Sequence, residues 1–435
     1  MTGTTQVRGG RTAATGRAYT TVFAERSLRL RADVAPDGTA DERRSAVRGM
    51  SVEHADGHGW TEHRFADDDA LLRAGRTGAV GAAADTLREV QERPLYALSE
   101  ESRTGLAAVA AETGAHLSLG VVQQHVAAGG PDRVRAAERM VTTLEVRLTG
   151  TDGTRHTRSL LCGSPADTKA LRDVAARTAE QIRRRLALPL ADTLPDRADL
   201  VLLPGLAGAF FHEIVGHPME GDVVASGTSY LGARAGRRVA PDWLSVVDGG
   251  REAVRGYRSP FDDEGTDCST ARLIDRGTVG RPMTDLAVAG LLDTPGTGHG
   301  RRQDYRHPAI PRMTHTVALV EPGTPLQAPP GDWIAPYGLR LHMMNIASGE
   351  FVFDAPFSLL HRADGGLARL GPLEVTGNGA RVLAGIEPFE HRVDGYLRAT
   401  GGCGKLGQYP VLVSFANAGL RVPSGLVGLR AVARA

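Results

Sequence analysis

Cysteine is nearly absent. Three residues in a chain of 435, Cys162, Cys268 and Cys403, cannot build a disulfide framework, and their scatter agrees with a reducing compartment. Long apolar runs are missing too. No stretch reaches the about 18 residues of a membrane-spanning helix. Arg8, Arg11, Arg17, Arg26 and Arg29 also leave no apolar run of signal-peptide length near the start. A cytoplasmic protein with no membrane partner is expected. An excess of charge of one sign is the third absence: Lys+Arg number 51 and Asp+Glu 50, so no global field favours nucleic acid or an anionic surface. The compact basic run Arg183-Arg184-Arg185 suits the C-terminal dipole of a helix rather than a nucleic-acid patch.

What is present fits a soluble globular chain with about two cored domains, at 41% hydrophobic and 23% charged residues. Residues 19–34 end in strict alternation, as a half-buried strand does. Ala70, Leu71, Leu72, Val80, Ala83, Leu87 and Val90 space residues 66–92 as a helix, opened by three aspartates and interrupted near Gly75 and Gly78. Further helices are expected at 131–142 and 166–187, with a strand pair over 143–162 turning at Asp152-Gly153. Helices and strands mix without βαβ regularity, which predicts an α+β fold. Pro189, Pro195 and Pro204 punctuate a boundary, giving an N-terminal α+β domain over 1–195 and a C-terminal domain over 196–435. The second half breaks into short strands, for example at 271–290, 313–320, 349–360 and 410–422, so it is expected to be largely β around one or two helices.

The chemistry concentrates at Phe210-Phe211-His212-Glu213-Ile214-Val215-Gly216-His217-Pro218. Two imidazoles can supply two protein ligands of an open zinc site, and an adjacent carboxylate can take a proton from water. His212 and His217 are five residues apart. On a regular helix they would diverge by about 140°. A single π turn would restore them to one face, with Gly216 tolerating the distortion and Pro218 biasing His217 away from regular helix. Cys403, in Ala-Thr-Gly-Gly-Cys-Gly-Lys-Leu-Gly-Gln at 399–408, lies in a glycine-rich loop setting that suits a third donor. Cys162 and Cys268 read as small buried hydrophobes.

Five segments in order resemble the TldD/PmbA family of metalloproteases: His212 through Glu220-Gly221-Asp222, Asp262-Asp263-Glu264-Gly265-Thr266, Gly298-His299-Gly300-Arg301-Arg302-Gln303-Asp304-Tyr305, Pro311-Arg312-Met313-Thr314, and Cys403-Gly404-Lys405-Leu406-Gly407-Gln408. The resemblance covers about residues 200–422. It implies a catalytic, TldD-like member in which His212, His217 and Cys403 hold Zn2+ and Glu213 is the general base. It also implies a homodimer, or a heterodimer with a PmbA-type subunit, that encloses the site.

Around that set, Glu220 is expected to orient a ligand. Arg301, Arg302 and Tyr305 are expected to polarise a carbonyl or hold a peptide, and Arg312-Met313-Thr314 resembles the family's substrate-strand edge. The expected reaction is hydrolysis of amide bonds in unfolded or small peptides. One rival is a tailoring hydrolase acting on a small amide-containing metabolite or modified peptide; the other is a non-catalytic partner in a TldD/PmbA-type complex. After Ile334-Ala335-Pro336, the family's glycine run is replaced by Tyr337-Gly338-Leu339-Arg340-Leu341-His342-Met343-Met344-Asn345, which predicts a narrower substrate range.

Overall fold

Alternating apolar side chains build the first sheet. The computed structural model describes residues 5–8, 18–56, 59–65, 84–130, 133–249, 256–396 and 402–432. Seven antiparallel strands run in the order Thr5–Arg8, Gly59–Phe65, Ala40–Asp56, Tyr19–Val34, His116–Gly130, Arg133–Thr149 and Arg155–Cys162. On the central strand, Leu28, Leu30, Ala32 and Val34 share one face and pack under helices Glu100–Thr113 and Thr168–Leu186. The intervening residues take the other face. Phe23 clusters with Phe261 and Tyr305, Glu25 accepts the Tyr305 amide, and Arg29 donates to the Pro410 carbonyl. A period of two thus sends one face to its own helices and the other to the second half of the chain.

Strand Tyr19–Val34, the hairpin closing at Asp152-Gly153 and helix Thr168–Leu186 fall where the sequence places them. Of the helix expected at 131–142, residues 131–132 lie outside the described residues and 133–142 are not helical. From Arg133 the chain is one strand to Thr149, paired from Arg133↔Gly130 to Arg147↔His116. Its Ala-Ala-Glu-Arg-Met stretch prefers helix by only a few tenths of a kcal/mol per residue. Continuous pairing and the buried Arg139–Asp263 ion pair outweigh that preference. Of the helix expected over 66–92, residues 66–83 lie outside the described residues, and Ala84–Glu92 is helical. Within 271–290 two short strands form, but Leu286–Leu291 is helix, capped by Asp285 accepting the Val288 amide.

A ten-stranded mixed sheet organises the second half. Its centre is Ser414–Val422, buried along its whole length. That strand pairs in parallel with His315–Val320 and antiparallel with Asp199–Leu202 and Glu387–Tyr396. A separate four-stranded antiparallel sheet runs Arg340–Met344, Glu350–Ala355, Leu373–Asn378, Val427–Ala431, leaving Arg340–Met344 at an exposed edge. These elements and the helical turns at 208–225 enclose the largest hydrophobic core among the described residues.

Candidate metal centre

Buried aromatics fix the entry to the helix that carries the histidines. Phe210 and Phe211 are fully buried, and the Phe210 ring packs on Phe351 and Phe353. Gly208–Phe211 is α-helical, His212–Gly216 is a π turn, and His217–Met219 tightens to a 3-10 turn. The amide of His217 donates to the His212 carbonyl, so the five-residue spacing is absorbed by one widened turn. The Tyr230 hydroxyl donates to the Ile214 carbonyl within that turn. Gly216 itself has helical angles, φ −58 and ψ −61. Its need is for space: a Cβ there would lie 2.0 Å from Met313 Sδ.

Cys403 arrives on a two-stranded hairpin, Cys403–Lys405 with Gln408–Val411. Leu406 and Gly407 both have positive φ, 49 and 78, the backbone of a tight two-residue turn. Gly402 before it has no room for a side chain, since a Cβ would meet the Val411 carbonyl oxygen at 2.3 Å.

One ligand atom each from His212, His217 and Cys403 lies within 4.8 Å of the other two. Cys403 Sγ is 3.2 Å from His217 Nε2, and the two imidazole centroids are 4.9 Å apart. Burial opposes the Cys403 thiolate, but the adjacent imidazoles hold the thiol well below its ordinary range. The Glu213 carboxylate sits 3.6 Å from His217 Nε2. Burial raises its pKa, and its Oε2 has no hydrogen-bond partner among the described residues. Two nitrogens and a ready thiolate form a three-donor set that fits zinc with a fourth position open, and the Glu213 oxygen stands beside it.

Outer contacts aim both rings. His217 Nδ1 meets Glu220 Oε2 at 3.0 Å, where the sequence placed an orienting carboxylate. Burial opposes ionisation of Glu220, yet His217 and Lys405 bring its pKa down to about 2. Lys405 Nζ lies 3.1 Å from Glu220 and donates to Asp222 at 2.6 Å and the Pro311 carbonyl at 3.0 Å. His212 Nδ1 has a long contact, 3.5 Å, with Thr316 Oγ1, whose hydroxyl donates to Asp248 at 2.6 Å. Sequence reasoning missed Lys405, Thr316 and Asp248. Lys405 stood in the quoted Cys403 segment, but no spacing points to Thr316 or Asp248, which reach the site only through strand pairing.

A cavity of 410 Å³ opens over Glu213 and His217, with Leu341, Met344, Ile346, Val223 and Leu406 as its apolar wall. None of the six residues expected to hold substrate lines it. Arg301 donates to the Met313 carbonyl at 2.5 Å and lies over the Tyr257 ring. Arg302 bonds Ser51 at 2.7 Å and lies near Glu53 and Glu62, binding the two halves together. Tyr305 packs on Gly49 of the first sheet. The Thr314 amide donates to Asp248, Met313 fills the space beside Gly216, and Arg312 is fully buried. The bulge between Leu341 and Met343 breaks alternation, so Met344 rather than Met343 joins Leu341 in the wall. Leu339 is in the core. Cys162 and Cys268 are half-buried rather than buried, and the Cys268 thiol donates to the Gly298 carbonyl.

Residues 195–406 match the PmbA/TldA metallopeptidase C-terminal domain. A metalloprotease of Synechocystis sp., slr0863, is 31% identical over 277 residues, covering 60% of this chain and 56% of that protein. A zinc metalloprotease TldD homolog of Saccharolobus solfataricus is 28% identical over 145 residues, covering 33% of this chain and 32% of that one. The chain spans about half the length, or less, of the curated relatives it matches. The fold resembles the crystal structure of TldE from Thermococcus kodakarensis, with a TM-score of 0.68 at 14% identity, covering 94% of this chain and 96% of that one.

Proposed function

The chain belongs to the TldD/PmbA family, and on that premise we propose that it is a zinc-dependent metallopeptidase of the TldD-like kind. The carrying observation is the convergence of His212, His217 and Cys403 beside the unpartnered Glu213 oxygen. Zinc held by those three residues would supply a Lewis acid and an acidified water. Glu213 accepts the proton from the attacking water and returns it to the leaving amine; its raised pKa suits a group that must do both. Glu220, clamped by Lys405, keeps the His217 ring turned so that Nε2 faces the donor cluster.

An extended peptide pairs with the exposed edge Arg340–Met344, where main-chain bonds supply affinity with little regard to sequence. Leu341 and Met344 fill space that a glycine run would leave open, which favours a narrower set of unfolded or short peptides with apolar side chains near the scissile bond. The same filling favours, as a second reading, a modified peptide or small amide from a biosynthetic pathway. A dimer, either of two copies or with a PmbA-type subunit, would restrict access further.

Glu213→Gln tests the assignment. The variant should retain zinc and the parent's circular dichroism while peptide hydrolysis falls about a hundredfold or more, because an amide cannot accept the proton. Cleavage of a random peptide library at the parental rate would remove Glu213 from the mechanism.

A further inference from the structure

A second cavity, of 620 Å³, opens between the first sheet and the segment 337–340. Among the described residues, Arg147, Arg155, Arg158 and Arg340 line it, with Glu145 as the one carboxylate. His156 forms part of its wall and has no solvent exposure. Its ring stacks on Phe357, with 3.9 Å between centroids, and meets the edge of Tyr337 at 5.5 Å. Neither ring nitrogen has a hydrogen-bond partner. Nor does Nη1 of Arg185, whose guanidinium covers the Tyr337 ring at 4.4 Å. A neutral imidazole keeps one of its nitrogens as a donor and Arg185 Nη1 is a second, so two buried donors stand beside this cavity.

The lining charge favours an acceptor of negative sign. Burial first, then Arg185 and Arg158, push the His156 imidazole down to about 3, so the ring is neutral and offers one N–H donor. Cations gathered in a cleft repel one another and raise the local concentration of anions. A volume of this size takes more than a bare ion, and aromatic walls suit a ligand with an apolar part. We propose that this cavity is a binding site for a carboxylate- or phosphate-bearing ligand, its anion held by Arg147 and Arg155, which the strand register places on one face of the sheet, and its apolar part laid against Tyr337.

The ligand has two possible sources: a free small anion, or an acidic residue of a peptide already at the metal centre. Chain continuity connects the two sites. Leu339 and Arg340 line this cavity while the next residue, Leu341, lines the other, and Leu406 and Tyr409 of one hairpin divide the same way.

Isothermal titration calorimetry of the full chain at fixed ionic strength tests the site by binding alone, so the outcome does not depend on hydrolytic activity. Glutarate and inorganic phosphate are the anionic probes, with glutaramide as the neutral control. Saturable binding of either anion but not of glutaramide is expected, weakened about tenfold for each of Arg147→Gln and Arg155→Gln. Circular dichroism checks that both variants fold, and the exposed Arg340→Gln serves if one does not. No saturable binding by either anion, or equal binding by parent and variants, overturns the site. On a Glu213→Gln background, a capped hexapeptide with a central Glu binding about tenfold more tightly than its Gln twin identifies the peptide as the source. Anion binding without that preference identifies a free ligand and still supports the site.

Discussion

Replacing Gly216 with alanine probes how the helix that carries His212 and His217 is held. Its angles, φ −58 and ψ −61, are open to alanine. On propensity alone the change would gain up to about 1 kcal/mol. Packing opposes it. The new Cβ would stand 2.0 Å from Met313 Sδ and 3.2 Å from its Cγ. A comfortable separation is about 3.5–4 Å. Met313 has no solvent exposure, so its side chain has nowhere free to swing.

Overpacking of this kind costs about 1–3 kcal/mol, and subtracting the propensity gain of about 1 kcal/mol leaves a net loss of about 0–2 kcal/mol, largest if Met313 cannot shift. The larger consequence falls on His217, the next residue, whose ring must keep Nε2 near Cys403. Urea unfolding should show the loss in Gly216→Ala, and competition against a chromophoric chelator should show weaker zinc binding. Met313→Ala alone leaves a cavity and should cost about 2–5 kcal/mol. Combining the two puts the alanine methyl into the vacated space, so the double variant should be at least about 1 kcal/mol more stable than the sum of the singles predicts. Strict additivity with unchanged zinc affinity would refute the claim that Gly216 is there to admit Met313.

Two further outcomes follow from individual side chains. Cys403→Ser should lower bound zinc in elemental analysis while Cys162→Ser and Cys268→Ser do not, since only Cys403 lies beside both imidazoles; equal zinc content in all three would undo the donor assignment. Glu25, fully buried under the Tyr305 loop, has its pKa raised by burial from 4.5 to about 7, against the pull of Ser27 and the Tyr305 amide. A carboxyl raised in the folded state favours folding below its unfolded pKa, and that contribution is lost as pH rises through about 7. Glu25→Gln, which cannot ionise, should therefore gain on the parent across that window, by up to about 3 kcal/mol at pH 8. An unchanged stability difference between pH 4.5 and pH 8 would sink this reading.

Local rules were legible where local interactions decide the structure. The π turn at His212–Gly216 follows from spacing and chemistry, because two imidazoles five residues apart share a face only if one turn widens. Strand Tyr19–Val34 follows from its alternation, since one of its faces packs under helices. Arg133–Thr149 was misread because its helical propensity is local while its strand character comes from a partner strand and from Asp263, far along the chain. Arg302 and Tyr305 owe their placement to equally distant contacts. Polar residues after a glycine-rich turn look free in sequence, yet Glu53, Glu62 and Glu25 of the first sheet claim them. Thr316 and Asp248 were invisible because only the pairing of their strands places the hydroxyl against the carboxylate.

The same long-range contacts explain why segments without donor atoms accompany the histidines. Cys403 lies 186 residues beyond His217, and something must set its approach. Arg139 of the first sheet pairs with Asp263 at 2.5 Å; burial opposes the Asp263 carboxylate, but Arg139 and Arg301 hold it below its ordinary range. The other oxygen of Asp263 accepts the Arg302 amide, and Asp262 accepts that of Gly300, which fixes the backbone of 300–302. The next residue, Gln303, donates its amide to Gln408 and accepts that of Tyr409, while Gln408 also donates to the Pro308 carbonyl. Those bonds pin one arm of the hairpin whose other arm begins with Cys403. The proposed third donor is thus located through a relay that starts on the first sheet. Loosening that relay at Asp263 or Gln303 should act on the metal centre without touching a ligand.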